Sequence, residues 1–271
     1  MTLDAGATTA VLARGLVDRK FTRALLRGRP QRLTPAARAA AAAVDAARLA
    51  LFAGFITKVR HTDLFEHLPG TLGLLRHYGL EIEVFRDYYL ERDPQPRGDT
   101  NAKVAAVTAH FMRFAATRRG RTVAGLADVL SHERCQWEVR RAVSQGAPIA
   151  GAFTGPVRVA RLGRDPYEVM AATARGERWR GRTAVRWWLY WADVTAGELR
   201  VIEIDREVAA VIRAILPAAL AAGPPRRTDR KQPTGRAPRA GSVALRVPAR
   251  RRAAIVARLA EAGVLRREGG T

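Results

Sequence analysis

The chain has 271 residues, 48% of them apolar, with 47 Lys plus Arg against 25 Asp plus Glu for a formal net charge of +22. That length suffices for two ordinary domains, and that apolar content excludes a globally disordered chain. The longest apolar stretches, 36–43 and 49–56, fall short of the ~20 residues a membrane span needs, so no membrane association is expected.

In chain order, the segment from Thr9 to Arg27 places Leu12, Leu16, Phe21 and Leu25 on one helical face. Thr34-Pro35 marks a helix start, a capping hydroxyl followed by proline in the first turn. From there the pattern runs through Val44, Leu51, Phe52 and Phe55 toward His61. Thr62-Asp63 reads as a fresh cap, and Pro69-Gly70 as the break of the helix it opens. His77-Tyr78-Gly79 reads as a helix end. A short helix is expected from Glu83 to Leu90, another on Val104, Val107, Phe111 and Phe114, and a third beginning at Leu126 and carrying Trp137.

Beyond Gln145-Gly146-Ala147-Pro148 the composition shifts. Val157, Val159 and Leu162 predict a short strand, and Asp165-Pro166 opens a short helix to about Arg175. Two β-rich runs, 183–191 and 199–204, flank a Gly-containing turn and predict an antiparallel hairpin. Asp205 caps a helix striped with Val208, Val211, Ile212, Ile215 and Leu216. Residues 223–241 read as a basic Pro/Gly/Arg loop, Ser242 to Val247 as extended, and Pro248 as the start of a last helix, which Ala262-Gly263-Val264-Leu265 ends, leading into a short closing strand. The expected fold is α+β: a helical domain over 1–148, then a winged-helix-like domain over 149–271.

Two dense polar-aromatic segments stand out. One holds Lys58, Arg60, His61 and Asp63; the other holds His132, Glu133, Arg134, Cys135, Trp137 and Glu138. A buried polar network and a recognition surface both produce such crowding. The five histidines, His61, His67, His77, His110 and His132, form no HxxxH or HExxH pair, so the expectation is no metal and no cofactor in this chain. Cys135 lies one helical turn from His132, the spacing a thiol nucleophile and its base would need, but a lone helical cysteine also packs as a small hydrophobe. No GxSxG, P-loop or GxGxxG stands in a strand-turn-helix context. One cysteine excludes an internal disulfide framework, and no basic start followed by an apolar run opens the chain; together they lead to the expectation of a cytoplasmic protein.

The strand with Arg186, Trp187, Trp188, Tyr190 and Trp191 points Trp187, Leu189 and Trp191 one way and Trp188 and Tyr190 the other. One arrangement leaves an aromatic face to a partner; in the other, both faces are buried. An open sheet edge would accept a peptide as an added strand. The same element order suits DNA binding through the last helix, with Arg250, Arg251, Arg252 and Arg258. The charge favours either polyanion, although arginine excess beside abundant alanine is also the mark of high-GC codon usage.

Phe55–Leu64, Leu130–Val139 and the hairpin-helix-helix module together resemble the partner subunits of multinuclear non-haem iron oxidases, of the MbnC and TglI type, which serve in modifying ribosomally made, cysteine-containing peptides (RiPPs). The resemblance covers most of residues 45–268. It implies a helical N-terminal domain and a C-terminal domain similar to a RiPP recognition element. It also implies a non-catalytic chain that binds an oxidase subunit, the iron residing in that partner, and captures the leader of a precursor peptide. Carried over by position, Lys58, Arg60, His61, Asp63, His132, Glu133 and Trp137 would face or support the oxidase and substrate. Arg186, Trp187, Trp188, Tyr190 and Trp191 would lie where the leader docks. The basic stretch 223–241 departs from a compact recognition element. The alternative function is a winged-helix DNA-binding regulator.

Overall fold

The computed structural model describes residues 4–30, 33–91, 99–147, 149, 152–193, 197–216 and 247–266. They form an α+β structure, mostly helical, with a three-stranded antiparallel sheet. The chain divides into two compact units, Met1–Arg134 with Asp165–Gly181, and Cys135–Arg164 with Arg182–Thr271. A single cut at 148 does not describe this. The division falls inside a helix, and the segment opened by Asp165-Pro166 returns to the helical unit.

In the helical unit, α1 (Ala5–Val17), α2 (Arg19–Leu26), α3 (Pro35–Ala43) and α4 (Ala46–Val59) come first. The two long helices expected here are each split by an aspartate that caps the next one. Asp18 accepts from the backbone N–H of Lys20 and Phe21, and Asp45 from Ala47 and Arg48. A side chain that satisfies two orphan donors makes a helix start competitive with continuation. α3 and α4 meet at 84°; among the described residues no single helix is long and apolar enough to cross a membrane.

Next come α5 (Leu64–His67), α6 (Pro69–His77), α7 (Glu81–Glu91), α8 (Thr100–Ala116), a 3-10 turn (Gly120–Thr122) and α9 (Leu126–Ser144). Pro69 opens α6 rather than breaking a helix, since its missing N–H is an orphan at the first position anyway. α4 and α7 approach so closely that a Cβ on Gly54 would stand 2.6 Å from the backbone N of Arg86. Leu64, Leu72, Leu75, Phe85, Val107, Phe111 and Leu130 are buried in this unit. α10 (Pro166–Ala174) completes it, capped by Asp165.

The second unit holds β1 (Val157–Leu162), β2 (Arg186–Asp193), β3 (Glu198–Ile204), α11 (Arg206–Ile215) and α12 (Ala249–Glu261), together with the second half of α9. β2 is the central strand, paired antiparallel on both sides, with Trp187 opposite Arg161 on β1 and Ile204 on β3. One face carries Leu189 and Trp191 into a core with Val211 and Ile212 of α11 and Ile255 and Leu259 of α12. The other carries Trp188, Tyr190 and Ala192 against Cys135 and Val139 of α9. Leu265, past the end of α12, forms an isolated antiparallel bridge with Phe153, and the closing strand expected to follow it falls mostly on residues 267–271, outside the described residues. The stretches 223–241 and 242–246, read as basic loop and extended chain, lie outside the described residues.

Candidate functional site

The first polar-aromatic segment spreads over several elements. Lys58 Nζ donates at 2.7 Å to Oε2 of buried Glu81 on α7, whose other oxygen faces Arg76 at 3.4 Å. Both cations also lie over the Phe65 ring, at 5.7 and 5.8 Å. A carboxylate this buried needs its cations, and here it has two. Arg60 is exposed at the end of α4, where its backbone N–H donates to the Ile56 and Lys58 carbonyls. Asp63 makes no side-chain cap for α5, against expectation; its Oδ2 stands 3.7 Å from Lys103 Nζ.

His61 is buried, and Nδ1 lies 2.7 Å from the Thr57 carbonyl, which fixes the proton on that nitrogen. Nε2 has no hydrogen-bond partner among the described residues. Burial, partly offset by the Thr57 contact, holds its pKa below the ordinary value, so the ring stays neutral. It meets the edge of Tyr88 at 5.6 Å, and Tyr88 in turn meets His110 at 5.4 Å.

The second segment divides within α9. Glu133 is 3% exposed and accepts from Gly70 N–H at 2.5 Å, Thr71 N–H at 2.9 Å and Thr71 Oγ1 at 2.6 Å. It thus caps α6, whose own N-cap residue, Leu68, has no acceptor on its side chain. A Cβ on residue 70 would collide with Met170 and stand 3.0 Å from Glu133 Oε1, so glycine there makes room for the carboxylate. Burial pushes the Glu133 pKa up to about 7 despite those three donors. His132 is 1% exposed, packs edge-on against Tyr167 at 4.8 Å, and has its pKa pushed down to about 4 by burial. Cys135 and Trp137 are buried in the sheet unit, Cys135 beside Trp188 and Tyr190, and Trp137 under the Arg141 guanidinium at 5.2 Å. Glu138 pairs with Arg158 of β1 at 2.7 Å.

Of the seven candidates for a partner- or substrate-facing surface, His61, His132, Glu133 and Trp137 are therefore interior, where their side chains hold the fold. Lys58 and Asp63 are half-buried and Arg60 is exposed. Among the described residues no group of three or more His, Cys, Asp or Glu side chains could hold a metal ion.

The aromatic strand is likewise mostly interior. Trp188, Tyr190 and Trp191 are buried, so the arrangement with both faces covered is the observed one. Being central, β2 also has no free backbone edge. Arg186 and Trp187 are different. They sit half-buried at a cleft of about 780 Å³ that forms where the sheet ends, together with Arg161, Glu203, Arg206 and Arg213. Arg186 pairs with Glu203 at 3.1 Å, and the Arg213 guanidinium lies 5.5 Å over the Trp187 ring. β3 is an outer strand beside this cleft, its residues exposed or half-buried throughout. Sequence reasoning missed Arg161, Arg206 and Arg213. The signal was present: Arg206 and Arg213 are seven residues apart on one helix, hence on one face.

Compared with known protein families and with curated proteins, the chain has no match.

Proposed function

We propose that this chain is a non-catalytic accessory subunit that captures an extended peptide on its sheet unit and presents it to an iron-dependent oxidase. The observation carrying this reading is β3, an outer strand with no pairing partner on its far side among the described residues, running into an arginine-rimmed cleft. Main-chain donors and acceptors on such a strand accept an added strand, and the cleft gives that strand's side chains something to recognise. The compact unit of three antiparallel strands covered by α11 and α12 supports a winged-helix-like, recognition-element-like reading. The interior position of Cys135 disfavours a thiol enzyme.

The test is calorimetry with the leader of a short cysteine-containing peptide encoded beside this chain, and co-purification with an oxidase encoded there. Micromolar leader binding and a stable complex are expected; absence of both sinks the reading. A second reading, a DNA-binding regulator, draws on the exposed Arg250, Arg252 and Arg258 of α12. Arg251 is engaged with Glu207 at 2.8 Å. That reading requires sequence-specific duplex binding with a steep salt dependence.

A further inference from the structure

We propose that the cleft at the end of the sheet is a carboxylate site, which takes an acidic side chain of an extended peptide lying beside β3. This rests on the peptide-capture reading and names the class of peptide it selects.

Register places the site. Arg161, Trp187 and Ile204 oppose one another across the three strands, so their side chains share one face. A residue of an added strand opposite Ile204 projects to that same face, about 4.8 Å further on. α11 borders this end of the face, bringing Arg206 from its first turn and Arg213 from two turns later. Arg161, Arg206 and Arg213 have no carboxylate partner among the described residues, whereas Arg186 is taken by Glu203 and Asp205 is taken by the Val208 N–H that it caps. Three guanidiniums without a carboxylate partner among the described residues, in one concavity, favour an anion. Trp187 supplies an apolar wall for the methylenes of a Glu side chain. Glu203 and Asp205 on the same rim repel a polyphosphate backbone but leave room for a single carboxylate, which favours an acidic peptide over nucleic acid.

The experiment uses the full chain and two twelve-residue probes, alternating Thr-Glu and alternating Thr-Gln, with a 12-base-pair duplex as third ligand. Calorimetry gives affinity, and the Trp187 indole N–H signal, assigned with Trp187→Phe, reports location. Two variants remove equal charge: Arg161→Gln/Arg206→Gln/Arg213→Gln in the cleft, and Arg250→Gln/Arg252→Gln/Arg258→Gln on α12. All six side chains are exposed, so thermal melting is expected to stay unchanged and verifies the fold. The expected result is tenfold or greater preference for the Glu probe, movement of the Trp187 signal, and at least tenfold more loss in the cleft variant than in the α12 variant. Equal loss in both variants, equal binding of the two peptides, or a Trp187 signal moved by duplex and not by peptide overturns the assignment. A genomic leader that binds wild type and cleft variant alike overturns this site and leaves peptide capture standing. Binding of the Glu probe in the cleft with no leader bound does the reverse.

Discussion

In the helical unit, the buried ionisable side chains Glu133, Glu81 and His110 are each taken up by partners. Glu133 caps α6, Glu81 is held between Lys58 and Arg76, and His110 lies 3.0 Å from Glu91 at the surface, which also receives Arg113 at 2.7 Å. In the sheet unit it is the aromatics that turn inward, and Arg161, Arg206 and Arg213 remain at the cleft with no carboxylate partner among the described residues. The difference teaches where to look for recognition. A group that already satisfies another has little left for a ligand, while an unmatched cation beside an open strand has a partner still to find.

The comparison breaks first in the cores. Tyr190→Ala and Trp191→Ala should each cost about 3–5 kcal/mol, read as a shifted denaturant midpoint, because both rings fill a packed face of the sheet. Trp187→Ala, at the half-buried cleft, should cost about 1 kcal/mol or less while weakening the acidic probe; equal costs at 187 and 191 would erase the distinction between core and rim.

Glu133→Ala leaves two backbone donors at the start of α6 uncapped in the interior, and should cost about 2–4 kcal/mol. A loss below 1 kcal/mol would mean that α6 does not depend on this tertiary cap.

pH dependence sharpens the inward side. His132 has its pKa lowered from 6.5 to about 4, so its stabilising contribution is full above pH 6.5 and is lost as pH falls toward 4. Glu133 has its pKa raised from 4.5 to about 7, so its contribution is full below 4.5 and is lost as pH rises toward 7. Each is worth roughly 3 kcal/mol at most, and the two slopes oppose each other between pH 4.5 and 6.5. His132→Asn should make the protein gain stability on acidification through that window, and Glu133→Gln should make it lose stability. Parallel pH profiles for wild type and both variants would refute the assignment.

Arg60→Ala lies at the small end. It should change stability by less than about 0.5 kcal/mol, because the side chain is exposed and only its backbone ends α4. A larger loss in the free protein would place Arg60 with the inward group.

Alternation along β2 was legible, as was the crowding of polar residues around His61 and His132. The use of that crowding was not. Glu133 finds Thr71 sixty-two residues away and Lys58 finds Glu81 twenty-three away, and no local rule reports such pairs. The cleft arginines escaped notice because single arginines in a chain with 47 Lys plus Arg carry no signal until strand register and a helix face bring three together.

By itself the sequence determined the caps at Thr34, Asp165 and Asp205, the helix end at Gly79, the hairpin and the α+β order. All of these act between residues two to four apart or through short-range periodicity, which the chain states directly. Only the tertiary structure decided that Asp18 and Asp45 would split helices, that the division between units falls within α9, and that both faces of β2 are covered. Those outcomes depend on which apolar surfaces meet across the fold, and burial, unlike a cap, is a property of what packs from elsewhere in the chain.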